Sequence, residues 1–158
     1  MIETTNPSGI VRMCDLTFDK SLFENFDTHT VLDRLLCSYR GLPKGVNYMI
    51  IGDPGSGKTT IILDLLANVM KHYPSARILF VSAEMNEIDL AVYVQRYPKF
   101  QYINILFVES DFSENDSSHN LVEIESILDR GWDIVAIDSF YELQGIIKEE
   151  ENMRMKEA

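Results

Sequence analysis

The run Gly52-Asp53-Pro54-Gly55-Ser56-Gly57-Lys58-Thr59-Thr60 brings three glycines, a lysine and two threonines into nine residues. Its fixed positions fit G-x-x-x-x-G-K-[ST]. Glycines let a loop wrap an anion with backbone N–H groups, because φ is unrestricted and no Cβ blocks the approach. The lysine that follows brings a positive charge to the outer phosphates, and the threonine hydroxyl can ligate Mg²⁺. These types at this spacing predict a phosphate-binding loop for a nucleoside triphosphate. Gly52 to Thr60 are expected to line the ligand, with Lys58 on the β- and γ-phosphates and Thr59 on the metal.

Two carboxylates downstream would complete such a site. Asp138 closes the apolar run Asp133-Ile134-Val135-Ala136-Ile137-Asp138, and a carboxylate at a strand end can orient water around a bound Mg²⁺. Glu84 follows Arg77-Ile78-Leu79-Phe80-Val81-Ser82-Ala83 and could polarise a water for in-line attack on the γ-phosphate. Each also has a plainer role: Asp138 as an N-cap or turn residue, Glu84 as a helix-start residue favourable to the dipole. Ser139 would contact the γ-phosphate region or cap a helix. His29, His72 and His119, expected to be exposed, and Cys14 and Cys37 show no spacing that suggests a metal site or disulfide framework.

The elements that must position these residues can be read from periodicity. Asn47 to Ile51 is a short apolar run expected to be the strand entering the loop. Ile61, Ile62, Leu65, Leu66, Val69 and Met70 recur at helical spacing after it. The strand Arg77–Ser82 is followed by a helix over Glu87–Arg96, closed by Pro98. A third strand is expected at Ile103–Val108, a polar loop at Asp111–Asn120, a helix buried through Leu121, Ile124, Ile127 and Leu128, and a fourth strand at Asp133–Asp138. Lys148 to Glu157 reads as a solvated helix with charge pairs.

Earlier in the chain, Gly9 to Met13 suggests a short extended piece, and Phe23 and Phe26 are expected to pack a surface segment. From Thr30, Val31, Leu32, Leu35 and Leu36 suggest a helix with an apolar stripe and with Asp33 and Arg34 outside it. Gly41-Leu42-Pro43-Lys44-Gly45 turns the chain toward the loop. Strands that are apolar throughout and alternate with helices indicate an α/β fold, a mainly parallel sheet covered by helices on both faces. In such sheets ligands bind beyond the carboxyl ends of the strands.

With 158 residues, 46% of them apolar and 25% charged, the composition is that of about one globular domain. No apolar run reaches the roughly 18 residues of a membrane span, and Met1 to Ser8 lacks the features of a signal peptide. A cytoplasmic protein with no membrane partner is expected. The net charge of −11 opposes strong sequence-independent binding of nucleic acid by this segment alone, since such binding is mostly phosphate neutralisation by Lys and Arg.

Taken together, Leu32-Asp33, Gly41 to Gly45, Gly52 to Thr60, Phe80-Val81-Ser82-Ala83-Glu84-Met85 and Ile134-Val135-Ala136-Ile137-Asp138-Ser139 resemble the RecA-like P-loop ATPase superfamily. The chain is most similar there to RadA/Sms and KaiC-type proteins, and its Ser82-Ala83-Glu84-Met85 piece to DnaB-type helicases. The resemblance covers residues 28–143. It implies a three-layer RecA-like core over 28–158 behind an N-terminal extension over 1–27, with ATP and Mg²⁺ as cofactors. It further implies hexamer-like homo-oligomers and work on DNA in recombination, repair or replication.

Carried over by position, Lys58 and Thr59 are the phosphate and Mg²⁺ residues, Glu84 is the catalytic glutamate and Asp138 the Walker B aspartate. The chain departs from the pattern in having Ala83-Glu84 where KaiC-type proteins usually have two glutamates, and in lacking the four-cysteine zinc motif of RadA. The C-terminal part of the core, with its DNA-binding loops and arginine finger, is expected to be missing. An arginine finger supplied in trans is worth about 10³–10⁵-fold in rate, so hydrolysis by the chain alone is expected to be slow or undetectable.

Two other functions fit the motifs. One is a regulatory or assembly module that binds ATP and rarely hydrolyses it. The other, a P-loop small-molecule kinase, is weakened because Lys99 and Arg130 are the only Lys or Arg between Tyr97 and Asp133, too few for an arginine-bearing lid.

Overall fold

The computed structural model describes residues 12–15, 17, 24–37, 40–108 and 124–157, with side chains as far as Lys148. Phe23, Leu121, His119 and the loop expected at Asp111–Asn120 lie outside these residues. The chain divides into two compact units, Met1–Met49 and Ile50–Ala158.

In the first unit, strand β1 (Asn25–Phe26) pairs antiparallel with β2 (Leu42–Pro43). Gly41 carries φ of +80°, and a Cβ there would lie 2.5 Å from the Phe26 carbonyl oxygen, so the closing of this ribbon requires glycine. Of the extended piece expected at Gly9 to Met13, Met13 instead begins a 3-10 turn, Met13–Asp15. Phe26 is buried, as expected.

Helix α1 (Asp33–Leu36) corrects the expected apolar stripe. Val31 and Leu35 are 81% and 79% exposed, whereas Asp33 is 4% exposed. The physical reason is local hydrogen bonding. Asp33 accepts from the Thr28 N–H at 2.9 Å, the Thr28 hydroxyl at 2.5 Å and the Thr30 N–H at 3.2 Å, so its carboxylate turns inward to satisfy donors that a leucine could not.

The second unit is a parallel sheet with helical crossovers. Strands β3 (Ile78–Ser82), β4 (Asn104–Phe107) and β5 (Ile134–Asp138) lie in the order β4-β3-β5, both pairs parallel. Helix α2 (Lys58–His72) precedes β3, and α3 (Glu87–Arg96) and a 3-10 turn (Pro98–Tyr102) link β3 to β4. A short helix α4, residues 124–128, and α5 (Phe140–Glu157) complete the unit. The α/β class and the parallel sheet agree with the reading of the sequence.

Every residue of β3 is buried, which is why this strand reads as a continuous apolar run. Leu79 and Val81 share one face with Val108, Ile124, Leu143 and Ile146, so α4 and α5 cover that side. By the two-residue period, Ile78, Phe80 and Ser82 project to the opposite face, where all three are at most 1% exposed. On α2 the buried residues are Leu63, Leu65, Leu66, Ala67 and Val69. Ile61, expected in the apolar stripe, is 41% exposed.

The strand expected at Asn47–Ile51 is not formed: residues 46–53 carry no ladder, and Met49 and Ile51 are 76% and 84% exposed. An apolar run becomes a strand only where a neighbour takes its N–H and C=O groups, and none does so here among the described residues. At the amino end of the sheet, Arg77 ties β3 to the approach of β5. Its N–H donates to the Asp133 carboxylate, its Nη1 to the Arg130 carbonyl, and its guanidinium lies 5.2 Å from the centre of the Trp132 ring.

Candidate functional site

Gly57 is the residue on which the loop turns into α2. Its φ of +90° lies in the left-handed region, which costs a residue with a Cβ roughly 1–2 kcal/mol. No side chain caps the α2 N-terminus, and no acidic residue occupies its first turn. The first N–H groups of a helix lack intrahelical acceptors and carry the positive end of its dipole, so this end is electropositive. Gly52 to Ser56 are exposed, and Gly57 to Thr60 are half-buried.

Lys58 reaches back across the loop. Its Nζ donates to the Gly52 carbonyl at 2.8 Å and to the Asp53 carbonyl at 3.0 Å. An ammonium has three donors, so two carbonyls fix its direction and one N–H remains. The Ser56 N–H donates to the Asp53 carbonyl at 3.1 Å, closing the turn beneath it. Thr60, in the first turn of α2, makes no hydrogen bond with a described side chain.

Thr59 and Asp138 meet. The Thr59 hydroxyl donates to Asp138 Oδ2 at 2.5 Å, joining the start of α2 to the carboxyl end of β5. Asp138 is 6% exposed. Its other carboxylate oxygen has no hydrogen-bond donor among the described residues, and a buried carboxylate short of donors or a cation is costly. Among the described residues no three His, Cys, Asp or Glu side chains converge to hold a metal. The donor set is instead one carboxylate and one hydroxyl, both oxygen. Mg²⁺ is commonly bound through one or two carboxylates with phosphate and water supplying the remaining oxygens, so the residues present fit that ion.

Glu84 is exposed, and its carboxylate makes no hydrogen bond with Thr59 or Asp138. Its backbone, however, is tied to the same corner. Ser82 pairs in register with Asp138, and the Ala83 N–H donates to the Asp138 carbonyl at 2.8 Å. The buried Ser82 hydroxyl donates to the Met85 carbonyl at 2.7 Å. Asn86 then caps α3: its Oδ1 accepts from the Ile88 and Asp89 N–H groups while its own N–H donates to Asp89. Ser139 takes the plainer of its two expected roles, accepting the Glu142 N–H at 3.3 Å at the start of α5.

The contacts that reading the sequence did not find are those of Ser82 and Ala83. Ala83 acts through its backbone, which no side-chain signal reports. Ser82 had one signal, a hydroxyl ending an otherwise apolar strand. Among the described residues no helix is long and apolar enough to cross a membrane. No protein-family model matches the chain, and no solved structure matches it.

Proposed function

We propose that this chain binds Mg-ATP as the nucleotide-binding part of a RecA-like P-loop ATPase. The observation that carries the reading is the Thr59–Asp138 hydrogen bond. It brings the hydroxyl that ends the glycine-lysine motif against a buried carboxylate at a strand terminus, the pairing a phosphate-bound Mg²⁺ requires. The uncapped α2 N-terminus and the carbonyl-held Lys58 support the same ligand.

In this reading the loop N–H groups and Lys58 hold the phosphates, and Thr59 and Asp138 hold the ion. Magnesium, when bound, supplies charge neutralisation at the β- and γ-oxygens. Glu84 orients and deprotonates the attacking water as general base. Coupling to DNA recombination, repair or replication, and hexamer-like assembly, rest on the resemblance of the motifs. The cytoplasm is the compartment in which such work would occur.

Isothermal titration with ATP and Mg²⁺ tests the proposal. Saturable binding that needs Mg²⁺ and is lost in Lys58→Ala is expected. Binding unchanged in Lys58→Ala, or no binding by the folded wild type, overturns it.

A further inference from the structure

The Glu84 side chain makes no hydrogen bond or ion pair with the described residues, while the backbone that carries it is held at three points. Ala83, one residue before it, is hydrogen-bonded to the Asp138 carbonyl at 2.8 Å. Met85, one residue after it, is held through its carbonyl by the Ser82 hydroxyl at 2.7 Å. Asn86 next begins α3 with a reciprocal capping box. Of these three ties, only the Ser82 bond spans Glu84 itself, running from residue 82 to residue 85.

Ser82 is 1% exposed and lies opposite Asp138 in the ladder. A buried hydroxyl must spend its proton on an acceptor. Here it is spent on the far end of the turn that displays Glu84, rather than on the sheet. We infer that Ser82 is a positioning residue: its hydroxyl fixes the 82–85 turn and so limits where the Glu84 carboxylate can reach relative to the Thr59–Asp138 corner. The inference rests on the nucleotide reading above and assigns Ser82 no contact with ligand. Without the bond, the Ala83 and Asn86 ties remain, so the strand and α3 persist while the turn between them gains freedom. Misplacement by about 1 Å can cost roughly 10²-fold in rate, which is the scale on which such a tie matters.

Paramagnetic broadening measures this without turnover. Mn²⁺ with a non-hydrolysable ATP analogue is added to the full chain, and the Glu84 side-chain and Thr59 methyl NMR signals are followed. In the wild type both are expected to broaden. In Ser82→Ala the Thr59 broadening should persist unchanged and the Glu84 broadening should change measurably as the turn gains freedom. Ser82→Thr, which keeps the hydroxyl, should return it to the wild-type value. Equal Glu84 broadening in Ser82→Ala and wild type, with Thr59 still broadened, overturns the Ser82 role alone. Absence of Thr59 broadening in the wild type overturns the nucleotide reading and the Ser82 role with it.

Discussion

Thr59 and Asp138 stand 79 positions apart in the sequence, and the hydroxyl of one donates to the carboxylate of the other at 2.5 Å. The bond leaves one oxygen of a buried carboxylate without a donor among the described residues, so it satisfies Asp138 only in part. Asp138→Asn keeps an acceptor for Thr59 and removes the charge. Without divalent cation this variant should be as stable as wild type or more so, since an uncompensated buried charge is lost. With Mg-ATP at a hundredfold excess over Kd, the wild type should gain about 2.7 kcal/mol, and the variant should lose most of that gain. Thermal melts with and without Mg-ATP read both signs. An equal gain in the two proteins would remove Asp138 from the metal site.

Strand β3 is legible because every residue of it is buried, whereas β5 is only partly buried, with Val135 39% exposed. A strand covered on both faces must be apolar, as Ile78–Ser82 is up to its last residue, and Ile134–Asp138 carries the same apolar run up to its aspartate while mostly half-buried. Helix α3 spans Glu87–Arg96 as its periodicity and the closing Pro98 predict, and the structure adds Asn86 as its N-cap. Asn47 to Ile51 was misread for a reason no local pattern carries. Apolar content says that a segment can be a strand, whereas a ladder needs a partner elsewhere. Asp33 was misread in the opposite way: four apolar neighbours outweighed it by periodicity, but the donors of Thr28 and Thr30 decided which side chain went inside.

The same contrast gives a stability test. Phe80 is fully buried in the central strand, whereas Ile51 is 84% exposed. Phe80→Ala should cost about 3–5 kcal/mol, and Ile51→Ala should stay within about 0.5 kcal/mol. Urea titration of both variants measures this. A cost above about 2 kcal/mol for Ile51→Ala, a core-like value, would mean that the segment is packed after all.

Two left-handed glycines should respond differently to alanine. At Gly57, with φ of +90°, an added Cβ meets nothing within 4 Å, whereas at Gly41, with φ of +80°, it meets the Phe26 carbonyl at 2.5 Å. Gly57→Ala therefore carries the backbone penalty alone, about 1–2 kcal/mol, and should act on the start of α2. Gly41→Ala adds a backbone clash and should open the β1–β2 ribbon. Amide hydrogen exchange should show faster exchange at Lys44 in Gly41→Ala, whose N–H donates to the Glu24 carbonyl beside that ribbon, and unchanged exchange there in Gly57→Ala.

Asp33 sets an acid limit on the first unit. Burial opposes ionisation of its carboxyl, but hydrogen bonds with the Asp27 side chain, the Thr28 hydroxyl and the Thr28 and Thr30 N–H groups outweigh it and hold the pKa at about 2, below the ordinary 3.8. A folded-state pKa below the unfolded one means that the unfolded chain takes up the proton first. The stabilisation is therefore fully present above pH 3.8 and is lost as pH falls from there through about 2. Asp33→Asn should lower the stability of the 28–36 turn at pH 6, where the carboxylate accepts from three donors, and should narrow that difference near pH 2. NMR titration of the Thr28 and Thr30 amides in both proteins reads the change. If wild type and Asp33→Asn differ by the same amount at pH 6 and pH 2, ionisation of Asp33 contributes nothing to the turn.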